Sequence, residues 1–288
     1  MIKRLLRALI SAKASAENLL FPLWLRLSSW PNRLVRKPSI PVIVGMTSYP
    51  ARINSAWISI ETILRQSVAP TRFLLVLSLE EFPGGVVPQS ISARLTRGLD
   101  ILWVEKNGRS FDKLLPISSK FPDEPIITVD DDKIFPRHLL RDLYREHQKS
   151  PSAVIGARGW VMQNSFTSGE LHYGKDWVRA APRATGRHLF MPGGNGCLYP
   201  PISLDTTVQD LDLALRLCPT ADDIWFWASL QRTETESICL GMPAHRPVSQ
   251  QKNTSALSDV NESDNDRQFQ SVMSHFNLTV DLVPKNGK

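Results

Sequence analysis

The chain of 288 residues has only three cysteines, Cys197, Cys218 and Cys239, and they stand far apart. That spacing matches neither a zinc-binding pattern nor a disulfide framework, and it fits a reducing compartment. Each thiol is expected to be a small buried hydrophobe rather than a nucleophile. Long apolar runs are missing too. No stretch approaches the ~20 apolar residues that a bilayer-spanning helix needs, and the longest candidate, Leu19 to Leu27, contains Arg26. A secretory leader is not expected, because the apolar stretch between Arg7 and Lys13 is short and ends on a charge. There is no internal repeat and no extended low-complexity segment. What remains is ordinary for a globular protein: 42% hydrophobic and 22% charged residues, enough to bury a sizeable core.

The net charge of +6 is unevenly placed. Residues 1–37 carry Lys3, Arg4, Arg7, Lys13, Arg26, Arg33, Arg36 and Lys37 against Glu17 alone, so residues 38–288 are close to neutral. A basic arm on a neutral body argues against a nucleic-acid footprint spread over a domain face. In the arm, Ile2, Leu5, Leu6, Leu9 and Ile10 share one helical face, and Leu23, Trp24, Leu25 and Trp30 follow. Basic residues beside exposed Leu and Trp suit an anionic membrane surface; packing on the chain's own body or on a partner chain is the alternative.

The body begins near Pro38. Short apolar runs at 42–46, 73–77, 101–104, 126–129 and 153–156 are expected strands. Ile53, Trp57, Ile60 and Leu64 recur at helical spacing, as do Leu139, Leu140, Leu143, Tyr144 and His147 after Pro136, and 111–120 is expected to be a short helix. Strands alternating with helices predict an α/β fold with a mostly parallel sheet and sites at the strand ends. Residues 159–187 show no clear period, 210–217 fits strand or helix equally, and the tail after Pro284 is expected to be mobile.

The fourth strand ends in Asp130-Asp131-Asp132. Three adjacent carboxylates repel one another, and only water or a cation relieves them. At the carboxyl edge of an open sheet, where ligands bind, such a cluster suits Mn²⁺ or Mg²⁺ bridging to substrate phosphates. An acidic turn before a helix is the plainer explanation, but it needs one Asp and not three. Three earlier strand ends are also polar: Thr47, Ser48, Tyr49 and Arg52; then Ser78, Glu80 and Glu81; then Lys106, Asn107, Arg109, Asp112 and Lys113. Together they would offer a platform for a base and cations for a diphosphate. A second acid pair, Asp222-Asp223, precedes Ile224-Trp225-Phe226-Trp227. It is read either as a helix start capped by Thr220 or as a general base desolvated by aromatic rings.

The ordered blocks Ser48-Tyr49-Pro50-Ala51-Arg52, Phe111-Asp112-Lys113, Asp130-Asp131-Asp132, Gly193-Gly194-Asn195-Gly196-Cys197-Leu198-Tyr199 and Asp222-Asp223-Ile224-Trp225 resemble the bacterial GT-A-fold glycosyltransferases, family 2-like, of surface polysaccharide biosynthesis. The resemblance covers roughly 40–270. It implies one GT-A domain over 38–284, with a nucleotide-sugar half at 38–158 and an acceptor half at 159–284, preceded by the arm 1–37. Its DxD motif would be Asp130-Asp131-Asp132, with Asp130 near the ribose and Asp132 on the divalent ion; Asp130 and a late histidine, His245, are further metal candidates. Thr47, Ser48, Tyr49, Arg52, Ser78, Arg109, Lys113 and Asp131 would complete the donor side. Asp223 would be the catalytic base, with Asp222 the other candidate, and Gly193, Gly194, Asn195 and Trp225 would face the acceptor. No QxxRW motif follows Asp223, which argues against a processive synthase.

The expected activity is therefore inverting, metal-dependent sugar transfer from a nucleotide-sugar to a glycan or glycolipid acceptor of lipopolysaccharide, capsule or related polysaccharide. The expected location is the cytoplasm, peripheral on the inner face of the membrane through residues 1–37. The competing classes are a phosphatase with Asp130 as nucleophile and Asp132 as acid, and a non-catalytic nucleotide- or glycan-binding module.

Overall fold

The computed structural model describes residues 20–25, 37–165, 168–243, 245–248, 262–280 and 282. Most of the basic arm, and the tail after Pro284, lie outside the described residues.

Eight strands form one sheet in the order β3-β2-β1-β4-β11-β6-β12-β9. They are β1 (Ser39–Thr47), β2 (Ala69–Ser78), β3 (Asp100–Val104), β4 (Ile126–Val129), β6 (Val154–Gly156), β9 (Thr185–Gly186), β11 (Asn195–Tyr199) and β12 (Ser237–Cys239). β3, β2, β1 and β4 are parallel, as are β6 and β12; β11 opposes both β4 and β6, and β9 opposes β12. The α/β architecture with a mostly parallel sheet is the one the alternating pattern predicts. Antiparallel β11 has a particular consequence. Its start, not its end, lies at the edge where β4 delivers Asp130, with Asn195 opposite Val129.

Alternation along the central strands sends side chains to two cores. Ile43 and Ile126 face one, and Val42, Val44, Met46, Ile127 and Val129 face the other. Helices α1 (Ile53–Leu64), α2 (Gln89–Leu95) and α4 (Leu139–Lys149) cover the second face. Helices α3 (Leu115–Lys120), α5 (Leu211–Leu217), α6 (Asp222–Arg232) and α7 (Glu262–His275) cover the first. All three cysteines are buried and unbridged, as their spacing predicts.

One local outcome differs from the sequence expectation, and one that the pattern left open is decided. The helix expected over 111–120 is a 3₁₀ turn, Arg109–Lys113, followed by α3, because Pro116 lacks an N–H and fits only a first helical turn. The ambiguous stretch 210–217 is helical. Asp210 accepts a hydrogen bond from Leu213 N at 2.9 Å, and that cap satisfies a donor a strand would have left to a neighbour. Within 159–187 the chain forms β7 (Trp160–Val161) and β8 (Val178–Arg179), which join β10 (Leu189–Phe190) in a small antiparallel sheet. Lys133–Ile134 (β5) pairs with Arg246–Pro247 (β13), bringing a late segment back beside the aspartates. No helix among the described residues is long and apolar enough to cross a membrane.

Candidate active site

The polypeptide leaves β4 at Val129 and places three carboxylates in three different environments. Asp130 receives Lys113 Nζ on Oδ1 at 2.8 Å and Lys133 Nζ on Oδ2 at 2.7 Å. Burial would raise its pKa, but the two ammonium groups prevail and hold the carboxyl well below the usual range. Asp131 is 4% exposed, accepts Ser48 Oγ at 2.6 Å and Arg52 Nη1 at 3.2 Å, and is still pushed up to about 6 because burial dominates. Its backbone carbonyl accepts Ser59 Oγ at 2.8 Å, so α1 fixes the turn. Asp132 Oδ2 accepts the same Arg52 Nη1 at 3.1 Å, whereas its Oδ1 is buried without a hydrogen-bond partner among the described residues.

The second acid pair opens α6 and points back at this turn. Asp222 Oδ2 lies 2.9 Å from Lys113 Nζ, so one buried lysine joins both acidic clusters. Burial would lower the Lys113 pKa, but Asp130, Asp222 and Asp223 together raise it well above the usual value. Asp223 Oδ1 accepts Gly193 N at 2.8 Å. Its carboxyl is pushed up to about 7 by burial first and the Asp222 charge second, against the pull of Lys113 and the Gly193 N–H. The expectation of a Thr220 cap is corrected: the N-cap is Ala221 with no side-chain bond, and Thr220 Oγ1 accepts Gln268 Nε2 instead.

The glycine loop threads between the clusters. Gly194 O accepts Asp130 N at 3.1 Å, and a Cβ on Gly194 would come within 1.7 Å of Asp130 Oδ2. Gly193 lies against Thr128, Asp223 and Tyr199. His245 Nε2 donates to Asn195 O at 2.6 Å, leaving Nδ1 as its remaining ring nitrogen, and burial lowers its pKa. Tyr173 also belongs to this wall: its phenol is raised by burial and then by Asp223 and Asp222.

Among the described residues no three His, Cys, Asp or Glu side chains converge as a metal-binding group. A hard divalent cation bridging to phosphates needs only one or two protein carboxylates. The unpartnered Oδ1 of Asp132 suits that role, while both oxygens of Asp130 are engaged by lysines.

The remaining expected donor residues are dispersed. Thr47 Oγ1 donates to Val76 O at 3.0 Å, which ties it to the sheet, and Tyr49 is 36% exposed beside Arg52. Ser78 is buried and accepts Glu80 N within its own turn, and Arg109 is exposed and donates to Pro219 O at 3.1 Å. Trp225 is corrected outright. It is 2% exposed and its indole N–H donates to Val208 O at 2.9 Å, so it is core and presents no face to a sugar. Lys133 was missed, although its signal is a cation directly following the three aspartates.

No family model and no curated protein matches the chain. Among the solved structures that resemble it are two of S. aureus TarS 1-349. The one in complex with UDP is 14% identical with a TM-score of 0.45 over 72% of this chain and 59% of that chain. The other is 13% identical with a TM-score of 0.43 over 73% of this chain and 59% of that chain. The chain thus spans about three-fifths of the structures it resembles.

Proposed function

We propose that the protein is an inverting, GT-A-type sugar transferase that uses a nucleotide-sugar donor and a glycan or glycolipid acceptor of surface polysaccharide. The observation that carries this is the joining of Asp130 and Asp222 through Lys113, which sets a neutral-pKa carboxyl, Asp223, beside the strand-end aspartates. Asp223 takes the proton of the acceptor hydroxyl as its oxygen attacks the anomeric carbon. The bond to the nucleoside diphosphate breaks with its electron pair, and Arg52 and Lys133, both partly exposed beside the aspartates, stabilise the departing charge. A bound Mn²⁺ or Mg²⁺, held through Asp132 Oδ1, would supply further neutralisation of the diphosphate. His245 Nδ1 is the remaining candidate ligand on that side. A phosphatase built on Asp130 is disfavoured, since a nucleophile needs a free oxygen and both of its oxygens are ion-paired.

The basic arm would hold the enzyme on the anionic inner face of the membrane. Only 20–25 and Lys37 of it are described. That helical turn buries Leu25 and exposes Leu20, Leu23 and Trp24, with Arg65 against Trp24 and Arg246 against Phe21. Apolar side chains over arginines suit a membrane interface.

Thermal-shift measurements against UDP, GDP and CMP, each with and without Mn²⁺, test the central claim. One nucleoside diphosphate or monophosphate should stabilise the protein, and more so with Mn²⁺. No stabilisation by any of them removes the donor-binding reading.

A further inference from the structure

Beyond the acid pocket, two arginines stand together with no carboxylate paired to them among the described residues. Arg158 follows β6 at the same sheet edge as Asp130 and is half-buried. Among the described residues it has no hydrogen bond or ion pair, and its Nε is buried without a partner. Arg179 is exposed, and among the described residues it donates only to a backbone carbonyl, Met242 O, at 2.5 Å. The chain brings the two arginines together: Ala180 N donates to Gly159 O at 2.9 Å, and Met242, whose carbonyl takes the Arg179 guanidinium, donates its N–H to Ala157 O at 2.8 Å. In keeping with this, the Arg179 charge, after burial, depresses the Arg158 pKa. The β7–β8 register sets Trp160, 37% exposed, directly opposite Arg179.

The group adjoins the glycine loop. Ala157 N donates to Gly196 O at 2.9 Å, and His245, which holds Asn195 O, is within the electrostatic reach of both Lys133 and Arg158. A Cβ on Gly159 would come within 2.6 Å of Met191 Sδ, so the backbone beside Arg158 is packed and not loose. Two adjacent cations, one with a buried unsatisfied N–H, cost free energy unless something negative is brought to them. The guanidinium fork matches the two oxygens of a phosphate or carboxylate, and an indole face suits the apolar face of a sugar ring.

We propose that Arg158 and Arg179, with Trp160 beside them, form a subsite for an oxyanion, phosphate or carboxylate, carried by the acceptor glycan. The assignment to an acceptor rests on the transferase reading above; the oxyanion site itself does not.

Isothermal titration of the full-length protein with inorganic phosphate, glucuronate and neutral glucose tests it. At least one oxyanion should bind the wild type, glucose should not, and Arg158→Gln/Arg179→Gln should weaken that oxyanion tenfold or more. Which oxyanion binds names the class. Binding that persists unchanged in the double variant, or no oxyanion binding by the wild type, overturns the proposal. Should the double variant not fold, Arg179→Gln, at an exposed position, must still weaken binding at least threefold. Nucleotide binding by the wild type, recorded in parallel, separates the two readings: oxyanion binding lost in the variants of a protein that binds no nucleotide keeps the subsite and removes the transferase.

Discussion

Lys113 Nζ lies 2.9 Å from Asp222 Oδ2 and 2.8 Å from Asp130 Oδ1, in a place where the lysine is only 4% exposed. A 3₁₀ turn, a strand end and a helix start are therefore pinned by one ammonium group. Removing it strands buried carboxylates, which typically costs about 3–5 kcal/mol. Lys113→Met should lose stability of that order in urea unfolding, and Asp222→Asn should lose less, because Lys113 keeps Asp130. A double-mutant cycle should give a coupling of about 1 kcal/mol or more. Strict additivity would mean that the pair is not coupled.

As the proposed base, Asp223 would set the pH dependence. Its carboxyl, normally near 3.8, is raised to about 7, so the basic form needed for proton removal fills in only as pH passes that value. kcat/KM should rise between about pH 6 and 8 and then level. Asp222→Asn removes the second-largest cause of the shift and should move the rise to lower pH. Asp223→Asn keeps an acceptor for the Gly193 N–H, and should leave donor affinity intact while lowering kcat by roughly 10²-fold or more. Near-wild-type turnover by this variant would exclude Asp223 as base.

The two loop glycines should respond unequally to a methyl group. Gly194→Ala drives a Cβ to 1.7 Å from Asp130 Oδ2 and must expel that carboxylate from its lysines. Gly193→Ala meets Thr128, Asp223 and Tyr199 at 3.1 to 3.3 Å, where shifts of a few tenths of an ångström suffice. Nucleotide affinity measured by titration should fall at least tenfold for the first and far less for the second. Equal effects would remove the close approach as the cause.

The helical turn 20–25 offers a test of membrane contact that leaves the core alone. Leu20, Leu23 and Trp24 are 58%, 49% and 55% exposed, so replacing all three by Ser should not lower the melting temperature. Sedimentation with anionic vesicles should fall severalfold, and neutral vesicles should bind weakly throughout. Undiminished sedimentation would place the contact elsewhere.

Much of the frame is local and so was legible. The unbroken apolar runs Val42-Ile43-Val44 and Ile126-Ile127 mark strands buried on both faces, and the pleat alone divides their side chains between the two cores. The three aspartates were legible for the same reason, being adjacent in sequence and closing a buried strand. Trp225 was misjudged because helical spacing tells which residues share a face but not what that face meets. Arg158 carried the same signal as Asp130, a charge just after a strand, but β6 is only three residues long and the signal passed unused.

The sequence by itself determined the α/β alternation, the burial of the cysteines and the clustering of Asp130, Asp131 and Asp132, since each depends on neighbours within a few positions. Only the tertiary structure decided which of those carboxylates is neutralised and by what. Antiparallel β11 enters between β4 and β6 and carries the glycine loop to the aspartates, while α6 brings Asp222 to Lys113. Contacts between segments so far apart arise from chain topology and packing. Their electrostatic outcome depends on burial and on distances of about 3 Å, which no local pattern of residues encodes.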